Sequence, residues 1–405
     1  MAIKGTAGAA RRKAQKKDVE AIEAFLAMLG LLPDSRRAQG RRYPLPTVVM
    51  VALLAMICGC DDASSMEAWG ERHEKWLATF LDMPHGPPSQ DVFLSVFAAL
   101  PPEPFGKFFV MWTDFLRGRL ALAGKHVAVD GKTSRRTHHR SREQPAVHTV
   151  SAWLSDAGLV LGQRKTETKS NEITAIPELL AVLDLRGATV TIDAMGCQTD
   201  IAAAIIERGG HYVLAVKDNQ PTLAEEMVAT FADAADVTPR ALDQPPPTPV
   251  EVHETLEKGH GRLEKRTVTV ARRLDWITTK ARWPKLAYVA RVESERTDLA
   301  TGNMSVERRY FIGSDPRASV TRVGELIRAH WGIENGLHWV LDMAFNEDQA
   351  RQRAGYCGAN FATLRHMALN LIKRTPNRRL GVKNTRLLAG WDLNELVRIV
   401  VMAEI

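Results

Sequence analysis

His126-Val-Ala-Val-Asp130 is a short apolar run closed by a carboxylate, and the character of the chain changes there. Before it, apolar residues recur at helical spacing, as in Ile22, Phe25, Leu26 and Leu29. After it, Val147-His-Thr-Val-Ser-Ala-Trp-Leu154 has the β-branched and aromatic content of a strand. Ser155-Asp-Ala-Gly158 reads as a turn and Leu159-Val-Leu-Gly162 as the returning strand of a hairpin. Helical periodicity over Glu172 to Leu183 precedes a second run closed by a carboxylate, Ala188-Thr-Val-Thr-Ile-Asp193. A helix over Asp200 to Arg208 and a strand over His211 to Lys217 complete the series.

Strand with terminal Asp, hairpin, helix, strand with terminal Asp, helix, strand is the element order of an RNase H-like α/β core. Such a core is a mixed sheet in which three antiparallel strands are extended by parallel ones through helical crossovers. Residues 124–221 form its first part. A late stretch, Glu325 to Asp348, completes it within 316–375. On a helix, His330, Glu334, His338 and Asp342 share one face, and Leu326, Ile333, Leu337 and Leu341 share another.

Ligands gather at strand ends in open α/β sheets, so Asp130 and Asp193 on adjacent strands can converge with Glu334 from the helix. Three carboxylates without cysteine ligands make a hard oxygen site suited to Mg²⁺ or Mn²⁺. Two such ions about 4 Å apart would activate a water or 3′-hydroxyl in phosphodiester displacement. A zinc hydrolase site at His330, Glu334 and His338 is disfavoured, because the four-residue steps do not make His-Glu-x-x-His.

The remaining chain divides around this core. Residues 1–17 read as a flexible basic tail, and 18–123 as an all-helical domain suited to DNA binding, with Trp69, Trp76 and Trp112 as core. Between the two parts of the α/β core, 222–315 is an insertion, mainly β, with strands at 266–271, 286–292 and 307–312. A basic tail and short helix fill 376–405. A net charge of +7 favours a polyanionic partner. Four scattered cysteines give neither a disulfide framework nor a Cys-rich zinc site and suit a reducing cytosol. The longest apolar run, Thr47 to Cys58, is short of the roughly 20 residues of a membrane span.

Six short motifs carry a resemblance: Val129-Asp-Gly-Lys132, Lys169-Ser-Asn-Glu172, Thr191-Ile-Asp-Ala-Met195, Val216-Lys-Asp-Asn-Gln220, Gly259-His-Gly-Arg262 and His330-Trp-Gly-Ile-Glu-Asn335. With the helical region at 30–120, they make the chain resemble a bacterial insertion-sequence transposase of the DDE class, H-repeat-associated branch. The resemblance implies a catalytic and metal-binding triad of Asp130, Asp193 and Glu334, with Mg²⁺ as cofactor. It also implies double-stranded DNA as partner, a homodimer in the DNA complex and a cytoplasmic, nucleoid-associated protein. A domesticated DNA-binding protein and a non-transposing RNase H-like nuclease are the alternatives.

Broader relatives have Tyr, Arg and Lys at positions seven before, four before and seven after the glutamate. Ile327, His330 and Leu341 stand there in this chain. His330 or Arg328 can replace the arginine on a phosphate, and Lys132, Lys217, His260, Arg262 and His338 are further DNA-contact candidates. Glu172 with Asn171 reads as a cap or support of the site. Trp331 and Trp339 read as packing residues rather than stacking partners of a flipped base.

Overall fold

A computed structural model of the chain describes residues 20–34, 36–37, 40–118, 121–138, 145–166, 171–235, 248–259, 261–375 and 380–401. The basic tail at 1–17, His260 and the prolines at 245–247 lie outside the described residues.

Helices come first: α1 (20–29), α2 (Leu45–Ile57), α3 (Ala63–Leu77), α4 (Gln90–Ala99) and α5 (Pro102–Arg117). Apolar on every side, α2 is buried from Leu45 to Ile57 apart from Pro46, as a helix without a polar face must be. A capping box between Asp62 and Ser65 starts α3, and Gly118, at φ 60°, ends α5.

The α/β part runs β1 (His126–Ser134), β2 (Val147–Leu154), β3 (Leu159–Thr166), α6 (Glu172–Ala181), β4 (Thr189–Ile192), α7 (Thr199–Glu207), β5 (His211–Val216) and α8 (Pro221–Ala235). Then come β6 (Val250–Gly259), β7 (Arg262–Ala271), β8 (Tyr288–Asp298) and β9 (Met304–Gly313). The chain closes with α9 (Val320–His330), α10 (Trp339–Phe345), α11 (Cys357–Arg374), α12 (Val382–Trp391) and α13 (Leu393–Val401). The strands form one sheet in the order β3-β2-β1-β4-β5-β9-β8-β7-β6. β1 is antiparallel to β2 and parallel to β4, and β4 is parallel to β5, as the element order predicts.

Four details differ from expectation. β1 does not end at Asp130 but runs on to Ser134, because residues 131–134 keep pairing with β2, so this aspartate lies mid-strand. The inserted strands continue the core sheet, because β9 pairs antiparallel with β5, Val213 opposite Gly313. β6 was not anticipated: it is an edge strand exposed over most of its length, so its Glu and Lys content conceals it. The C-terminal region forms two helices, whose Ala389, Leu396, Ile399 and Val400 enter the core.

Alternation along the strands separates two faces. Val127, Val129, Val190, Ile192 and Leu214 pack with α6, α7 and α8. Ala128, Trp153 and Val160 face the other way, into a core that the N-terminal helices share with Ile333, Leu337 and α11. Val213 and Phe311 meet Val323, Leu326 and Ile327 of α9 on that second face. No described helix is long and apolar enough to cross a membrane.

Candidate active site

Asp130 follows Val129 and therefore shares the face of Ala128, toward the late helices. Val129 pairs with Ile192, so Asp130 and Asp193 each come one residue later on neighbouring parallel strands. Asp130 Oδ1 accepts the Gly131 N–H at 2.8 Å. Asp193 leaves β4 into a tight turn, where Oδ1 accepts from Met195 N–H at 3.0 Å and Gly196 N–H at 3.3 Å. Asn219 and Gln220, just beyond β5, brace the same turn through Ala194 O at 2.7 Å and Cys197 O at 2.9 Å.

Glu334 arrives on the opposite wall. Between α9 and α10 the chain makes a π turn, Glu334–His338, in which Trp339 N–H bonds Glu334 O across five residues. Such turns are frequent at functional sites. The apolar residues Leu326, Ile333, Leu337 and Leu341 are buried as expected. The polar residues fan across the sheet. His330 Nδ1 lies 2.9 Å from Thr191 Oγ1 on β4. His338 Nδ1 lies 3.3 Å from Glu334 Oε2 and 3.7 Å from Asp130 Oδ2. Asp342 reaches Lys132 on β1 at 2.8 Å.

Asp130, Asp193, Glu334 and Glu172 line one cavity of about 310 Å³ together with Lys217, Arg309, His330 and Trp331. Burial pushes the Asp130 carboxyl up to about 7, with the charges of Asp193, Glu334 and Glu172 adding to it against the Gly131 N–H. Burial lowers the pKa of His330 and of His338, so neutral imidazoles are favoured beside the acids. One ligand atom each from Asp130, Glu334 and His338 lies within 4.8 Å of the others. The donor set fits a divalent cation: acids crowded into a partly buried cavity repel one another, and a bound cation relieves that repulsion. Asp193 lies outside that tight group while lining the same cavity.

The DNA-contact candidates fall into different settings. Lys217 is exposed and lines the cavity. Lys132 does not line it: its ammonium is held by Asp342 and lies 3.9 Å from Glu347 and 3.7 Å from Asp348. Arg328 forms a forked pair with Glu257 of β6, with Nη2 to Oε2 at 2.6 Å. Arg262 is exposed where β7 leaves its hairpin, away from the cavity lining. His338 is buried against the acids. Trp331 and Trp339 are 55% and 60% exposed, and the Trp331 ring lies 6.0 Å from the Arg309 guanidinium and edge-on to the His330 ring.

Arg309 was missed. It lines the cavity, its Nε has no hydrogen-bond partner among the described residues, and its nearest acid, Glu307, is 3.8 Å away. Alternation along Glu307-Arg-Arg-Tyr-Phe-Ile312 was the available signal: Arg309 shares the face of Phe311, which meets α9.

Two neighbouring parallel strands and a late helix that bring carboxylates from three distant segments to one cavity define an RNase H-like chain. Residues 122–371 match the family described as Transposase DDE domain, and 26–113 match the DDE_Tnp_1-associated family. The chain belongs to the transposase DDE domain family. It is 33% identical over 382 residues to the H repeat-associated putative transposase YhhI of Escherichia coli K12, covering 93% of this chain and 98% of that one. The putative protein YbfL of the same strain matches with the same identity and coverage. An uncharacterized protein in the dhlA 3′ region of Xanthobacter autotrophicus is 40% identical over 288 residues, 70% of this chain and 92% of its own.

Proposed function

We propose that the chain cuts double-stranded DNA at the ends of an insertion element and joins the resulting 3′-hydroxyls to target DNA. The observation that supports this best is the convergence of Asp130, Asp193 and Glu334 on one cavity with two cationic side chains, Lys217 and Arg309. Asp130, Asp193 and Glu334 are the catalytic residues in this reading and would hold Mg²⁺, replaceable by Mn²⁺, as a pair of ions. Bound there, the cations supply Lewis acidity to an attacking water or 3′-hydroxyl and to the leaving oxygen.

The chain's own groups do the positioning. Two backbone N–H groups fix the Asp193 carboxylate before substrate arrives, which removes reorganisation from the reaction. Lys217 and Arg309 grip the scissile phosphate, a contact that sets register without reading sequence. Trp331 gives the cavity an apolar rim against the duplex. The helical region at 18–123 contributes DNA binding, and a homodimer holds the two element ends together.

The test is purified protein, Mg²⁺ and a plasmid carrying an element with its matched terminal sequences. Nicked and joined products are expected, and Asp193→Ala or Glu334→Gln should reduce both by at least about 10²–10³-fold. Asp193→Ala with full activity overturns the assignment. Nicks without joined products would make the chain a nuclease rather than a transposase.

A further inference from the structure

Glu172 opens α6 and is 4% exposed, yet it lines the cavity of Asp130, Asp193 and Glu334. A carboxylate so buried needs a partner. It has one: Glu172 Oε1 lies 2.6 Å from His148 Nε2, and His148 Nδ1 lies 2.7 Å from Thr133 Oγ1. His148 and Thr133 are directly opposed on β2 and β1, so the sheet holds the imidazole rigidly.

The approach of Glu172 depends on its neighbour across β1. A Cβ on Gly131 would lie 2.3 Å from Glu172 Oε1, 2.7 Å from Glu172 Cδ and 2.6 Å from His148 Nε2. Only glycine beside Asp130 lets this head group lie over the strand. A buried hydrogen-bonded pair serving stability alone could sit anywhere in the core. This one is aimed into the cavity by three features of separate segments: a hydrogen-bonded imidazole, a missing side chain and a helix start.

We infer that Glu172 is a fourth carboxylate of the cation site, oriented by His148, and contacts the divalent cation directly or through one of its waters. The inference rests on the reading of Asp130, Asp193 and Glu334 as cation-binding residues. Thr133 and His148 then serve as positioning residues, fixing the carboxylate as hydrogen-bonded outer partners fix metal ligands elsewhere.

Calorimetric Mn²⁺ titration of the full chain without DNA, backed by the Mn²⁺ electron paramagnetic resonance signal, tests this. Glu172→Gln keeps a carbonyl acceptor for His148 and should fold, yet bind Mn²⁺ about tenfold or more weakly. His148→Ala should weaken binding in the same direction while Glu172 remains. Asp130→Asn is the control for the underlying reading. If Asp130→Asn binds Mn²⁺ as the wild type does, the cation site itself is misassigned. If Asp130→Asn loses binding while Glu172→Gln keeps wild-type affinity and stoichiometry, the inference about Glu172 falls and the triad stands. Should Glu172→Gln prove unfolded by circular dichroism, Glu172→Asp decides: it keeps the charge and withdraws the head group, and unchanged Mn²⁺ affinity overturns the proposal.

Discussion

Removing the guanidinium of Arg386 should cost about 3–5 kcal/mol of folding stability. Arg386 lies on α12 and is 3% exposed. It donates Nε and Nη2 to Met56 O at 3.1 and 2.7 Å, Nη2 to Asp61 Oδ1 at 2.5 Å, and Nη1 to Ala344 O. Met56 and Ala344 lie in the last turns of α2 and α10, where carbonyls lack helical partners and a cation is favoured. The guanidinium also stacks 4.0 Å from the Phe345 ring centroid. One side chain thus caps two helices and neutralises a partly buried aspartate.

Each such contact contributes roughly 1.5–3 kcal/mol alone, but they share one group and do not add. Arg386→Met keeps much of the apolar stem and should still lose about 3 kcal/mol, because Ala344 O loses its donor and Asp61 its cationic partner, with only the Asn346 amide left on that carboxylate. Arg386→Lys should fall between, a point charge being unable to fork. Adding Asp61→Asn to Arg386→Met should lose less than the sum of the singles, since no unpaired carboxylate remains. Urea unfolding followed by circular dichroism measures all four. Arg386→Ala within about 1 kcal/mol of wild type, at unchanged slope m, would refute the reasoning.

Burial lowers the His366 pKa to about 3 and the His126 pKa to about 4, below the unfolded value near 6.5. The unfolded chain therefore binds more protons below pH 6.5, and stability due to these histidines is lost as pH falls through that window. Asp130, raised to about 7, works in the opposite sense, so His366 is isolated by difference. The stability gap between wild type and His366→Gln should shrink by roughly 2 kcal/mol from pH 6.5 to pH 5, and a gap independent of pH refutes the assignment. Lys132→Met should destabilise the fold by leaving Asp342, Glu347 and Asp348 together, while the salt dependence of DNA binding keeps its slope. Lys217→Ala and Arg309→Ala should each lower that slope by about one in a filter-binding titration; a drop of that size for Lys132→Met would restore it as a phosphate contact.

The placement of Asp130 and Asp193 was legible because each closes an apolar run, and the intervening hairpin and helix made their strands parallel neighbours. Glu334 was legible because Leu326, Ile333, Leu337 and Leu341 imposed a buried face and left the acid on the other. What escaped depends on contacts distant in sequence. Arg386 belongs to a basic stretch that reads as solvated, and its partners Met56, Asp61 and Ala344 lie on other helices. Lys132 has an acidic partner 210 residues away. β6 lacks the buried alternate face by which a strand announces itself. Gly131 reads as flexibility until Glu172 and His148 are seen against its Cα.

The π turn at Glu334–His338 gives the late helix an angular phase. A regular helix advances about 100° per residue, so losing one residue inside the turn would rotate everything beyond it by about that amount. His330 on α9 and Glu334 at the start of the turn would stay in place, while His338 would swing off Asp130 and Asp342 off Lys132. Length within those five residues is therefore constrained more tightly than composition, and a chain shortened there would keep its acids and lose their alignment.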